Sequence, residues 1–543
     1  MKTRNIKVPF IHRIALGLLV AASVCITQTG CKKDILDEIP LAFMNPEATL
    51  TNKAGFESAV ISLHSGARDL YFGQDGAKMW AMHIGTDVFT TGDHGLADFI
   101  NYPTWLTPVQ NSVNDIWDWA YLKMIPRANT IIEGAEKPGV TWASEAEKNA
   151  IVAEAKFFRA YAYNYLANLY GGVPIVDRVY TEDKRDFTRA KREEVYKFAQ
   201  QDLEFAREWL PNAASLPGRI AKAAANHVLT EVNINLKDYD KAIEAATRVI
   251  TGGRHSLMTS RFGNWLNQPG DAYSDLFRDR NQNLAANKET IWAVQMEFQT
   301  PGGIALANQG NTTLRAFGNR YWNLKDPDNK AGTVVADSLG RGVGWVRGTS
   351  YFLYSVWNDP NDIRNSRNNI RRDFYFNNPA SAYFGKRVDP NNPKADTMYD
   401  HYPTLRKIEG EALMGASYGR TFKDWYMIRL AETYLLRAEA YIRKGDLQLA
   451  ANDINVVRAR SNAGAITSGM ATVDFILDER ARELYIEEPR RVTLARMGKL
   501  FERVKAYNPR SGASVQPTNE LYPIPQKVIV ANSGAAIPQN QGY

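Results

Sequence analysis

Apolar residues spaced three and four apart recur in two separated stretches of this 543-residue chain, and that spacing limits what it can fold into. In the first stretch Ser144 and Glu147 make a capping box that opens a helix through Ala153, Phe157, Tyr161 and Tyr165 to Tyr170. Gly171, Gly172 and Pro174 stop it. A second helix is predicted near Glu193 to Leu210, ended by Pro211. Ala221, Ala225, Val228, Val232 and Leu236, followed by Tyr239, Ala242, Ile243, Ala246, Val249 and Ile250, predict a helix hairpin broken at Asp238 to Asp240 and closed by Gly252-Gly253. The second stretch repeats the design. Ile428, Ala431, Leu435, Ala438 and Ile442 form one stripe ending at Gly445, and Asp446 caps another bearing Leu447, Ala450, Ile454 and Val457. Alanines at interior steps let helices approach closely, and the pair length is near the roughly 34 residues of a tetratricopeptide unit. The expected fold is mainly α: a tetratricopeptide-like helical-pair scaffold with a loop-rich, irregular ligand-binding region. An ordinary α-helical domain without repeat kinship is the competing reading.

Between the two stretches the periodicity fails. From about Gly253 to Arg420, Gly, Asn, Asp and Pro punctuate short aromatic strings such as Glu289 to Phe298. Long irregular segments are either functional or disordered, and aromatic richness speaks against disorder. Together with Phe72 to Thr107, this region is expected to form the loop-rich part carried on the scaffold. The chain therefore reads as a leader (1–30), a tether (31–50), an N-terminal helical-repeat part (51–252), a loop-rich ligand-side region (253–420) and a C-terminal helical part (421–543).

The leader sets where the protein works. Lys2, Arg4, Lys7 and Arg13 precede an apolar run from Ile14 to Ile26, and no acid appears before Asp34, as in a secretory signal peptide. That run of about 13 residues is too short for a bilayer that needs roughly 20. Gly30-Cys31 resembles the processing site of bacterial lipoproteins, although Gln28 stands where an aliphatic residue is usual. Cys31 is the expected lipidation site, and a leftover thiol is the alternative. Only Cys25 and Cys31 are present, and Cys25 lies inside the leader, so no internal disulfide can staple the exported chain. Removing the four leader cations lowers the formal charge from +7 to +3, a near balance that argues against a nucleic-acid surface. The basic clusters near Lys184 to Arg192 and Arg364 to Arg372 read as solvated surface.

No catalytic constellation stands out. His64, His83, His94, His227, His255 and His401 form no His-Glu-x-x-His pair, and there is no cysteine cluster for zinc. Nucleophile elbows and phosphate-cradling glycine loops are missing too. Paired carboxylates for glycoside hydrolysis could hide among any acids, since that chemistry needs only a separation in space. Asp87 and Asp93, in a loop with Gly85, Gly92 and Gly95, are candidates either for ligand contact or for turn formation.

Several strings resemble signatures of the SusD/RagB family, the surface nutrient-binding lipoproteins of Bacteroidetes-type bacteria. Leu36 to Pro40 (LDEIP) follows the cysteine as in the family; Trp117 to Glu133 (WDWAYLKMIPRANTIIE) looks like its Arg-Ala-Asn helix; and Ala153 to Val176 (AEAKFFRAYAYNYLANLYGGVPIV) is the most specific match. Met427 to Gly445 and Leu447 to Arg460 resemble the late helix pair, and Asp478 to Glu483 (DERARE) and Leu521 to Pro525 (LYPIP) the C-terminal signatures. They occur in the family's order along nearly the whole exported chain. Glu488 to Val492 departs from the pattern where many members carry Gly and aromatics. Glu487-Glu488 reads as helix surface.

The resemblance implies a non-enzymatic protein, lipid-anchored on the outer face of the outer membrane. It implies a cap over a SusC-like TonB-dependent transporter that captures an oligosaccharide or, as in RagB-like members, a peptide. A secreted hydrolase is the remoter alternative. It implies no cofactor, with structural calcium left open, and no nucleic-acid partner. Glycan capture needs flat aromatic faces flanked by Asn, Asp, Arg or Gln. Trp80, Trp105, Trp265, Trp322, Trp345 and Trp357 lie in the irregular regions, although core packing is the commoner fate of a large aromatic. The ligand-side candidates are Trp345 and Tyr354 within Arg341 to Trp357, then Trp80 and Asp87, with Trp265 and Trp322 beside them. Trp117, Trp119 and Trp425 lie on family-like helices and should be structural.

Overall fold

A computed structural model describes residues 49–72, 77–300, 304, 310–392 and 395–543. The leader, Cys31 and all but the end of the tether lie outside the described residues. The principal helices are α1 (Lys53–Phe72), α2 (Ala77–His83), α3 (Asn111–Asp118), α4 (Ile125–Gly134), α5 (Glu145–Tyr170), α6 (Arg192–Trp209), α7 (Lys222–Asn235), α8 (Tyr239–Ile250), α9 (Leu430–Lys444), α10 (Leu447–Arg460), α11 (Val473–Leu484), α12 (Arg490–Met497) and α13 (Leu500–Tyr507). They start and stop where local chemistry dictates. The Ser144 hydroxyl accepts the Glu147 amide at the start of α5, and Asp238 caps α8 through the Lys241 amide. Gly445 ends α9 at φ 97°, a left-handed position that a side chain would strain.

Helices α4 to α10 pack each against the next in chain order, so the scaffold is a tetratricopeptide-like stack of helical pairs. The stack does not stop at the loop-rich region. Although residues 251–429 intervene, α8 lies directly on α9, with Ala242 and Ile234 closing against Leu436 and Ala440. Alanine at these seams brings the backbones close, while Phe157, Phe158 and Leu166 on α5 fill the wider gaps and are fully buried. Burying each such side chain contributes about 1.5–3 kcal/mol.

The Trp117 to Glu133 signature is one helical rod with a wide turn inside it. A π-helical segment, Trp119–Met124, joins α3 to α4, and the Ile125 amide bonds to the carbonyl of Ala120, five residues back. Pro126 explains the irregularity: it has no amide to donate and its ring would strike the carbonyl four residues earlier, at Leu122, in a regular α-turn. Trp117 and Trp119 are buried as expected, the Trp119 indole donating to the Gly66 carbonyl at 2.7 Å. Trp425 is buried too, but on a strand rather than a helix. It belongs to β6 (Trp425–Arg429), which pairs antiparallel with β2 (Thr290–Val294).

Regular backbone pairing is sparse in the irregular region. Besides β2 it holds β3 (Arg347–Gly348), paired to β1 (Phe89–Thr90), and the short ladder of β4 (Ile370–Arg371) with β5 (Thr404–Leu405). Buried ion pairs do much of the remaining joining. Arg364 is fully buried, not solvated as its basic neighbourhood suggests, and reaches Asp362 at 2.8 Å, Glu479 at 2.8 Å and Glu483 at 3.0 Å. Glu483 also binds Arg429 at 3.0 Å and Arg460, and Glu289 binds the same two arginines at 2.5 and 2.9 Å. The DERARE string is thus a hub of charge that faces inward from α11. Glu487 and Glu488 correct their expected place on a helix surface. Glu487 pairs with Arg429 at 2.5 Å and with Lys407, and Glu488 with Arg480 at 2.9 Å, all within the interior. Burial alone would push the Glu479 carboxyl up, but Arg364, Arg482 and Arg458 pull it down to about 2.

Candidate ligand-binding face

Helix α2 carries Trp80, and the turn that follows it carries Asp87. Asp87 is sealed in the core with no exposure. Arg490 holds both its oxygens, at 2.8 and 2.7 Å, and Arg503 adds a third bond at 2.8 Å. Burial would raise this carboxyl, yet the two guanidiniums bring it down to about 2. The expectation of Asp87 as a ligand contact is therefore corrected: a buried carboxylate held by two arginines is an internal anchor. Glu488 to Val492, the stretch that departs from the family pattern, supplies one of those arginines.

The anchor fixes the register of β1 against β3. Phe89 faces Gly348 and Thr90 faces Arg347, while the Thr349 amide and hydroxyl bond to the carbonyls of Val88 and Asp87 at 2.9 and 2.7 Å. Two residues before β3 stands Trp345. Its flanking amides, Gly344 and Val346, bond to the carbonyls of Gly318 and Ala316, both at 2.8 Å. Glycine is needed here: a Cβ on Gly344, at φ +70°, would lie 2.7 Å from the Tyr399 ring, and one on Gly342 would lie 2.3 Å from the backbone of Gly318.

The outcome is that Trp80 and Trp345 meet. Their ring centroids lie 5.2 Å apart at 70°, and Phe99 stands edge-on to Trp80 at 6.1 Å. Both indoles are half-buried, packed on the core yet reachable from solvent. Arg315 lies 5.0 Å over Trp345. Beyond it the half-buried Trp322 donates its indole N–H to Gly342 at 2.8 Å and carries Arg341 5.0 Å above its ring. Gly419 links the two arginines, since a Cβ there would be 2.7 Å from the Arg341 carbonyl and 3.7 Å from the Arg315 guanidinium. Next to Gly344, Tyr399 supports Arg320 at 3.4 Å and donates to Asp93 at 3.0 Å; Arg320 and Asn323 in turn bind Asp400 at 2.8 and 3.1 Å. Burial, then the Asp93 carboxylate, raise the Tyr399 hydroxyl above its usual pKa.

Of the sequence candidates, Trp80 and Trp345 are in direct contact, and Trp322 joins them through Arg341 and Gly419. Tyr354 is 54% exposed with Arg372 stacked 5.7 Å over it. Trp265 lines a separate cleft. Trp105 and Trp357 are buried, and the Trp105 indole donates to Ser112 at 3.0 Å. Sequence reasoning missed Arg315, Arg320 and Tyr399, whose neighbours lie tens of residues away. Among the described residues, no group of three or more His, Cys, Asp or Glu is placed to hold a metal ion, and no helix is long and apolar enough to cross a membrane.

A repeat stack that carries an aromatic face rimmed by guanidinium, carboxylate and amide groups defines a scaffolded binding protein. The comparisons narrow the class. The family model described as "SusD family" matches residues 349–543, and one described as "Starch-binding associating with outer membrane" matches residues 50–234. The SusD-like protein P2 of Formosa agariphila is 26% identical, covering 95% of this chain and 98% of its own, and the starch-binding protein SusD of Bacteroides thetaiotaomicron is 27% identical over 78% of each. Among solved structures, a SusD homologue from Bacteroides thetaiotaomicron superposes with a TM-score of 0.71 at 19% identity, covering 92% of this chain and 98% of its own. A laminarin-binding SusD-like protein gives 0.68 at 21% identity, over 91% of this chain and all of its own. The chain belongs to the SusD/RagB family.

Proposed function

We propose that this protein is a cell-surface glycan-binding lipoprotein that captures an oligosaccharide on the Trp80–Trp345 face and passes it to a TonB-dependent outer-membrane transporter. The carrying observation is the contact of two half-buried indoles contributed by distant parts of the chain, with Arg315 over Trp345 and Arg341 over the neighbouring Trp322. Aromatic rings stack on the C–H faces of sugars, and forked guanidiniums and amides meet the hydroxyls. Similarity to a starch-binding protein, a laminarin-binding protein and a surface glycan-binding protein supports the same ligand class. Acylation at Cys31 supplies the membrane tether, and capture requires no bond-breaking step and no cofactor.

The test is a titration of the exported chain, with Cys31→Ser in place of the lipid site, against panels of oligosaccharides and peptides. The expected result is saturable binding of at least one oligosaccharide, weakened by Trp80→Ala and by Trp345→Ala and unchanged by EDTA. Peptide binding without any glycan binding would replace this reading with a RagB-like one, and turnover of a polysaccharide would replace it with a hydrolase.

A further inference from the structure

Trp265, which the aromatic face does not use, lines a cleft of about 310 Å³ formed with Arg278, Asp279, Asp337 and Asn368. That is near the lower end of the ~300–1,000 Å³ typical of small-ligand sites, enough for a short stretch of ligand. The ring is half-buried, and its indole N–H is tied to the Asp279 carbonyl at 3.1 Å, which fixes the orientation of the wall. Charged and polar groups line the same space. Arg278 makes no ion pair among the described residues. One of its amino groups donates to the Pro269 carbonyl at 3.0 Å, and its buried Nε has no hydrogen-bond partner. The nearby carboxylates pair with other arginines: Asp275 with Arg261 at 2.5 Å through one oxygen, its other oxygen being buried without a hydrogen-bond partner, and Glu409 with Arg371 at 2.8 Å and Arg406 at 2.9 Å. Burial lowers the pKa of Arg278 and raises that of Asp279, whose carboxylate accepts the Glu411 amide at 3.1 Å. Asp337, exposed, accepts the Ala416 amide at 3.0 Å through one carboxylate oxygen.

Charge decides the ligand. The wall carries both signs, with Arg278, Arg406 and Lys407 beside Asp279, Asp337, Glu409 and Glu411, so a bare anion or a bare cation would meet like charge there. Hydroxyl groups donate and accept, so a neutral sugar satisfies this mixed wall without leaving either sign unpaired. We infer that the Trp265 cleft is a second saccharide site, binding one or two neutral sugar residues against the indole with Arg278 and Asp279 reading their hydroxyls. It does not depend on the Trp80–Trp345 face.

The experiment uses the full chain carrying Trp80→Ala and Trp345→Ala, so that the first face is disabled. Saturation-transfer NMR is recorded with glucose, galactose, mannose, maltose, laminaribiose, cellobiose and glucuronate. The inference expects transfer to at least one neutral sugar, with affinity reduced about tenfold or more by added Trp265→Ala or Arg278→Gln and largely restored in Trp265→Phe. Circular dichroism of each variant keeps loss of binding distinct from loss of fold. Absence of neutral-sugar binding, binding of glucuronate alone, or binding indifferent to both substitutions in folded protein would overturn it. Loss of glycan binding only in the Trp80 and Trp345 variants, with this cleft silent, would leave the first face standing and remove the second.

Discussion

The repeat stack and the irregular region carried on it are held together by different physics. Along the stack, neighbours in sequence are neighbours in space, and alanine seams with buried aromatics and leucines do the joining. In the irregular region the backbone ladders are two to five residues long, and fully buried charges from far along the chain tie it down: Arg364 to Glu479, Arg429 to Glu289, and Asp87 to Arg490 and Arg503. Apolar seams tolerate small errors of packing; a buried ion does not tolerate loss of its partner. The proposed ligand face stands on the second kind of region, so its geometry is set by ionic anchors rather than by the stack.

Breaking an anchor should have the largest effect. Glu483→Gln leaves Arg364, Arg429 and Arg460 short of a counter-charge and is expected to cost about 3–5 kcal/mol in urea unfolding, as is Asp87→Asn for Arg490 and Arg503. A loss below about 1 kcal/mol for both would reduce the two regions to one kind. Overpacking a seam should matter less. Ala438→Leu on α9, where the alanine is fully buried, is expected to cost about 1–3 kcal/mol without altering glycan affinity.

Acid should act on the anchors before it acts on the seams. Asp87, Glu432 and Glu479 have folded pKa values of about 2, depressed from 3.8 or 4.5, so their stabilisation is present above those ordinary values and lost as pH falls toward 2. His83, buried between Phe89 and Phe317, is lowered by burial from 6.5 to about 3, so the unfolded chain binds its proton first and stability falls across that window as well. Unfolding midpoints should therefore decline from about pH 6 and steepen below pH 4.5. The smallest effect is expected at Tyr354→Ala, where an exposed ring should change stability by no more than about 0.5 kcal/mol.

The same contrast explains what could be read from the residues. Helices with local signals were legible: Ser144 before Glu147, alanines at steps of three and four, Gly445 after the last stripe. The contact of Trp80 with Trp345 was not, although each was a candidate, because it depends on β1 meeting β3 across some 250 residues of chain. Asp87 and Arg364 misled for a physical reason. A charge in a glycine-rich loop or a basic run is usually solvated, and nothing near them in sequence betrays the partners that bury them.

The central claim is that two distant indoles form one ligand face. Its most direct test is a double-mutant cycle of Trp80→Ala and Trp345→Ala, reading affinity for the oligosaccharide bound by the unaltered chain beside the unfolding midpoint of each sample. The account predicts that each single change weakens binding about tenfold or more, that the double change weakens it by less than the product of the two, and that the fold persists. Affinity unchanged by both substitutions in folded protein would contradict it.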